Sequence, residues 1–384
     1  MSRFLGYLRS DGRVGVRNHV VVMSSVSCAN AVVLGIGRQV PQVKTVTHTE
    51  GCGRGPTDIA ISLRTLAGVA SHPNVAAILI IGLGCEFIKA RLVADYAAND
   101  KRIEQFEIQE VGGTPKAIAR GVEIARRMLA DASKIEREEF GFEHLTLAME
   151  CGGSDAMSGL TANPSVGVVA DWLVGQGGTV MLSEVTEFLG TEEILATRCA
   201  SGEVREQMLG LLSRHEVKVK EQLGPLADLV IAPGNQEGGL SSIQEKSLGC
   251  IQKGGTTDIQ AVLEYAERPT KKGLHVMDTP GSDIFSVTGM FAAGAQMMLF
   301  TTGRGSPAGS PLGPVVKVAS NTSMFQRMRD DMDFDAGRVM AGMSIAECGA
   351  ELVGLVGKVA DGKPTAAELN NSDLFAIHTV GEAF

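Results

Sequence analysis

Three apolar runs of this sequence end in the same chemistry. The run VKTVT ends in His48-Thr49-Glu50-Gly51-Cys52-Gly53, AAILIIGL in Gly84-Cys85-Glu86, and LTLAM in Glu150-Cys151-Gly152-Gly153-Ser154-Asp155. TVMLS adds a fourth acidic corner, Glu184-Val185-Thr186-Glu187. A cysteine is also a small hydrophobe, and glycine turns follow strands in any case, so one such corner alone carries little. Three of like composition point to a site. Carboxylate, imidazole and thiolate are mixed hard and soft metal donors, although no fixed spacing such as HExxH sets their geometry. The metal candidates are therefore His48, Cys52, Cys85, Glu86, Glu150 and Cys151.

Two later segments suit an anionic, hydroxylated ligand. Pro233-Gly234-Asn235-Gln236-Glu237 is followed by Glu245-Lys246-Ser247-Leu248-Gly249, and Phe300-Thr301-Thr302-Gly303-Arg304-Gly305 offers hydroxyls, backbone N–H groups and a guanidinium fork. A solvated turn with an exposed arginine is the plainer reading of the last. The full GxGxxG, the Walker lysine and the GxSxG elbow are missing, which disfavours dinucleotide, nucleoside triphosphate and serine-hydrolase chemistry.

Runs rich in Val and Ile alternate with helical stretches, and these elements must position the corners. Strands are expected at 19–24, 44–48, 74–83 and 104–110, with helices at 28–39, 57–70, 87–98 and from Thr114, where Pro115 suits a first turn. The charged stretch 131–143 reads as a linker. Strands resume at 144–149, 177–184, 273–279 and 314–320, between helices at 163–175, 191–222 and 256–266, and the segment after 343 reads as helical. Uninterrupted apolar strands alternating with helices mean an α/β fold. Two domains are expected, residues 1–135 and 144–384, with mainly parallel sheets flanked by helices and Gly-rich loops at the strand carboxyl ends. Ligands of such sheets collect at those ends.

A chain of 384 residues is long enough for two cores. Its 47 glycines cluster after the apolar runs, where backbone must approach something closely. A net charge of -9 without a basic cluster argues against nucleic acid and anionic membranes. Seven scattered cysteines without a CxxC pair, and an amino terminus without an apolar signal region, suit reduced thiols in a cytoplasmic protein. The uncharged run Ile284–Phe300 and on to Gly303 reads as a buried helix followed by a buried strand rather than a membrane span, because it carries Gly, Ser, Thr and Gln.

The segments GYLRSDGRVGVRN, HTEGCG, HPNVAAILIIGLGCE, IQEVGGT, ECGGSDAMSGLTANPSVG, SEVTEFLG, GNQEGGLSSIQEKSLG and FTTGRG resemble the altronate dehydratase and galactarate dehydratase family, from about Gly6 to the end. The resemblance implies a carbon–oxygen lyase that dehydrates a hydroxy-carboxylate sugar acid to a 2-keto-3-deoxy acid with Fe2+ or Mn2+. It makes residues 1–135 a Rossmann-like second domain and 144–384 the catalytic one. Longer members begin with an additional domain of about one hundred residues. In the related sulfolactate sulfo-lyase that domain is a separate polypeptide and the large subunit looks like this chain. A separate small subunit, and a homo-oligomer, are expected partners.

Both reactions remove a weakly acidic proton beside a carboxylate and expel a group from the next carbon, so they need electrostatic help, a base and an acid. Lys246 is the expected base, because a desolvated lysine loses its proton readily, with a salt bridge to Glu245 or Glu237 as its alternative. Glu245 and His48 are further acid–base candidates. Ser154, Asp155, Asn163, Asn235, Thr301, Thr302 and Arg304 are assigned to substrate hydroxyls and carboxylate. The rival classes are an iron-sulfur hydro-lyase, with a cluster on Cys52, Cys85 and Cys151, and a non-catalytic sugar-acid sensor.

Overall fold

The computed structural model describes residues 3–97, 101–224 and 231–384. It is an α/β protein built on two parallel sheets. The first has four strands in the order Lys44–Val46, His19–Ser24, Val75–Gly82 and Arg102–Glu107. The second has seven, in the order Ile259–Leu263, Gly273–Met277, Thr179–Leu182, Thr146–Cys151, Met297–Thr302, Val315–Ala319 and Phe334–Asp335. Strands such as Val75–Gly82 and Met297–Thr302 are apolar almost throughout because helices cover both of their faces.

The two sheets share a core. Ile61, Leu66 and Val69 of helix Pro56–Ala70 pack with Val287, Met290 and Phe291 of helix Asp283–Ala292 in one buried cluster. The uncharged run at 284–303 is thus a buried helix and the buried strand Met297–Thr302, as its composition predicts. No helix of the described residues is long and apolar enough to cross a membrane.

A small antiparallel sheet that the sequence pattern did not announce joins the start of the chain to the segment between the two parallel sheets. Arg3–Leu8 pairs with Val14–Gly15 and with Glu138–Gly141, so the charged stretch read as a linker contributes a strand. The conspicuous GYLRSDGRVGVRN segment turns out to be a joint. Arg17 is buried, grips Glu368 through two nitrogens at 2.7 and 2.9 Å, and donates to the carbonyls of Val359 and Lys363. Glu368 in turn caps helix Ala366–Leu369 through Thr365.

Two expected helices differ. The segment 256–266 holds the edge strand Ile259–Leu263, since Ile259 and Leu263 bury themselves by pairing with Gly273–Met277. The expected helix 191–222 breaks into Glu192–Thr197 and Gly202–Leu223, because Cys199 between them bridges to Ile259. Helix Ala90–Ala97 occupies the 87–98 region, and residue 98 lies outside the described residues.

Candidate active site

The order of the seven-stranded sheet reverses between Thr146–Cys151 and Met297–Thr302: the chain leaves the first toward Thr179–Leu182 and reaches the second on its other side. Such a reversal opens a crevice at the carboxyl ends. Glu150 and Cys151 finish the central strand there, and strand alternation sends their side chains to opposite faces.

On the Glu150 face, three carboxylates converge. Oxygens of Glu150, Glu184 and Asp283 all lie within 4.8 Å of one another. Glu150 Oε2 accepts from Ser286 Oγ at 2.5 Å and Ser183 Oγ at 3.2 Å, while its Oε1 is buried with no hydrogen-bond partner. Glu184 sits in the left-handed region, at φ 66, with its N–H donating to Thr279 Oγ1 at 2.7 Å. A non-glycine residue held in that conformation is a strained one, of the kind that clusters at functional sites. Burial, then the charges of Glu150 and Glu187, push the Glu184 carboxyl well up, and burial pushes that of Glu150 up to about 7. Burial, followed by the Glu187 charge, also raises Asp283. Three such groups in one place repel one another unless protons or a cation intervene.

Register places Lys317 on the same face. Glu150 lies opposite Phe300, which lies opposite Lys317. The Lys317 Nζ sits 3.5 Å from the centre of the Phe300 ring, fully buried and without a hydrogen-bond partner, and burial holds it down at about 7.

The Cys151 face is different. Cys151 Sγ donates to Glu187 Oε2 at 2.8 Å, lies 3.5 Å from Cys250 Sγ, and accepts from the fully buried Lys253 Nζ at 2.6 Å. Lys246 Nζ meets Glu187 Oε1 at 2.7 Å, and Lys253 Nζ lies 3.6 Å from Oε2. Burial opposes the Glu187 charge, but the two ammonium groups overcome it and hold the carboxyl at about 2. The sulfur of Cys250, then burial, drive the Cys151 thiol well up. Lys246 is paired with Glu187, not with Glu245 or Glu237. Burial works against its charge, yet the Glu187 carboxylate raises its pKa, so it stays protonated and is not the easily deprotonated base that desolvation alone would make.

A cavity of about 330 Å³ opens beside this face, lined by Ser154, Asp155, Asn163, Glu245, Lys246 and Cys250. Ser154 Oγ is buried without a partner. Asp155 is fully engaged, accepting from the Ser158 N–H and the Ser158 and Ser320 hydroxyls, each at 2.8 Å, and from Asn321 at 3.0 Å. Asn163 accepts from Thr301 Oγ1 at 2.7 Å, and Asn235 donates to the Ser154 carbonyl at 2.9 Å. Thr302 accepts from the Gly305 N–H. Glu245 is exposed and bound to Ser241, and Arg304 is exposed and paired with Glu237 at 2.7 Å.

The remaining metal candidates stand at the carboxyl ends of the four-stranded sheet. His48 Nε2 donates to the Ser24 carbonyl at 2.8 Å and its Nδ1 accepts from the Glu50 N–H at 3.1 Å. Glu86 accepts from Ser25 Oγ and from the N–H groups of Leu83 and Gly84. Cys52 and Cys85 are exposed. Among the described residues these four belong to no group of three converging ligand atoms. Sequence reasoning left Glu184 and Glu187 as a corner without a role and passed over Cys250, Lys253, Asp283 and Lys317. A lysine inside the apolar run PVVKVAS was the available signal, because a buried charge needs a reason.

Comparison with known proteins agrees over nearly the whole length. Residues 6–133 match the family model of the D-galactarate dehydratase/altronate hydrolase second domain, and 142–383 match that of the D-galactarate/altronate dehydratase C-terminal region. Altronate dehydratase of Escherichia coli is 32% identical over 98% of this chain and 77% of its own length. Galactarate dehydratase (L-threo-forming) of the same organism is 34% identical over 98% of this chain and 75% of its own. The (2R)-sulfolactate sulfo-lyase subunit beta of Chromohalobacter salexigens is 34% identical over 95% of this chain and 94% of its own. The chain belongs to the D-galactarate/altronate dehydratase family.

Proposed function

We propose that this protein is a hydro-lyase that dehydrates a sugar acid to a 2-keto-3-deoxy acid with a divalent metal, Fe2+ or Mn2+. The observation that carries the metal is the convergence of buried Glu150 and Glu184 with half-buried Asp283, one Glu150 oxygen being unpartnered. An all-carboxylate set suits a hard divalent cation. When bound, that ion would supply positive charge for the carboxylate and 2-hydroxyl of the substrate. The chain divides accordingly, with residues 144–384 carrying the chemistry and 1–135 supporting it.

The protein's own groups supply the proton transfers. Lys317, buried and with its Nζ free of hydrogen bonds, is assigned as the base that removes the proton next to the carboxylate. Lys246, held as a cation by Glu187 at the edge of the cavity, is assigned as the acid that protonates the departing 3-hydroxyl, which leaves as water. The resulting enol becomes the 2-keto-3-deoxy acid. Lys253 and Lys246 keep Glu187 charged, and their net positive field favours an anionic substrate. Ser154, Asn163, Asn235 and Arg304 are assigned to its hydroxyls and carboxylate.

A second reading has its own support. The sulfo-lyase subunit is matched over 94% of its length, more than either dehydratase. The same groups would then expel sulfite instead of water, with a separate small subunit of about one hundred residues completing the enzyme. One assay separates the two. The protein is supplied anaerobically with ferrous or manganous ion and offered altronate, galactarate and sulfolactate in turn. A 2-keto acid from a sugar acid is expected; sulfite and pyruvate from sulfolactate alone would establish the second reading, and turnover of none would defeat both.

A further inference from the structure

The seven-stranded sheet has a second polar cavity, at its amino end. A space of 230 Å³ is lined by Arg13, His144, Arg268, Lys271 and Lys272, together with Thr146, Thr179 and Gln296 at the starts of three strands. Thr146 begins the strand that Glu150 and Cys151 finish, so along that strand this cavity lies about 13 Å from the Glu150 carboxylate cluster, at ~3.3 Å per residue. It is no part of the catalytic crevice.

Its charge is unusual for a chain with a net charge of -9. Arg13 pairs with Asp11, and Glu143 lies 3.8 Å from His144. Among the described residues Arg268, Lys271 and Lys272 have no salt bridge, although Arg268 donates to Ser71 Oγ and Lys272 to the Glu143 carbonyl. The Arg13 Nη1 is buried and has no hydrogen-bond partner. A buried guanidinium nitrogen left unsatisfied costs stability unless an acceptor completes it. Guanidinium forks and hydroxyls at a concave wall are the groups that hold oxyanions, and a recess focuses their field.

We propose that this cavity binds a multiply charged oxyanion, a phosphate or carboxylate group of a small metabolite, separately from the substrate. Arg13 and Arg268 grip the anion, and Lys271 and Lys272 neutralise it from the rim. The test is calorimetric titration of the intact, metal-loaded protein with inorganic phosphate and, separately, with tricarballylate. Saturable binding of at least one is expected, weakened at least tenfold in Arg268→Ser/Lys271→Ser and unchanged in Lys358→Ser, an exposed lysine elsewhere. These exposed side chains are replaced without disturbing the core, and an unchanged melting temperature verifies that. Tighter binding of phosphate assigns the site to phosphorylated ligands, and tighter binding of tricarballylate to polycarboxylates. No saturable binding of either, or equal affinity in the double variant, overturns the proposal.

Discussion

At the scale of single residues, buried charges decide the account. The Lys317 ammonium group sits without a hydrogen bond on the Phe300 ring, an arrangement that weakens the fold. Lys317→Met keeps the shape and removes the charge, so the melting temperature should hold or rise while kcat falls on the order of a hundredfold, the usual worth of a positioned base. Parallel loss of stability and activity would make Lys317 structural. Glu187 behaves oppositely. Its folded pKa of about 2 lies below the ordinary 4.5, so its contribution is complete above about 4.5 and is lost as pH falls toward 2. Glu187→Gln leaves Lys246 and Lys253 without their carboxylate and should cost about 3–5 kcal/mol at neutral pH. Denaturation curves from pH 7 to 3 should show the gap between variant and parent narrowing with acid; a constant gap would contradict the ion pairs. Of these residues Lys246 was legible from its motif, but its partner was not. Glu187 lies almost sixty positions away, and only the sheet order brings the two together.

At the scale of elements, the crevice depends on close approach. A Cβ on Gly152 would lie 2.0 Å from Asp283 Oδ2 and 2.7 Å from Phe300 Cζ, so it would push apart the strand end and the helix that carries Asp283. Gly152→Ala should cost about 1–3 kcal/mol and lower activity further than stability. Gly175→Ala, at a helix end with nothing within 4 Å, should be neutral or slightly stabilising in the same thermal melts and assays. Equal effects from the two would remove the packing argument. The strands that carry the corners were readable because each is an apolar run between helices. Ile259–Leu263 was not, since five residues of mixed burial show too little period, and pairing with a neighbour decided its conformation. Arg3–Leu8 was missed for another reason: its exposed and buried positions alternate, but its partner Glu138–Gly141 lies in a charged stretch.

At the scale of the whole molecule, the carboxyl-terminal tail ties the two sheets together. His378, Thr379 and Val380 line a cavity with Thr186 and Ser282, beside Glu187 and Asp283. The next residues reach the four-stranded sheet's corner, where buried Asp58 accepts from the N–H groups of Val380 and Gly381, and the Phe384 N–H donates to the Gly53 carbonyl. The His48–Gly53 corner thus lies under the tail, and no sequence pattern before it indicated that cover. Asp58→Ala should cost about 1–3 kcal/mol and speed hydrogen exchange at 378–384; unchanged exchange there would mean the tail is held by other contacts. The central claim is that Glu150, Glu184 and Asp283 hold the metal on which dehydration depends. The direct measurement is metal content by elemental analysis of anaerobically prepared parent, Glu184→Gln and Asp283→Asn, beside Cys85→Ser on the other sheet. The account predicts one ferrous or manganous ion per chain in the parent and Cys85→Ser, and its loss with activity in the two carboxylate variants while they remain folded. Full metal in those variants, or its loss only in Cys85→Ser, would contradict it.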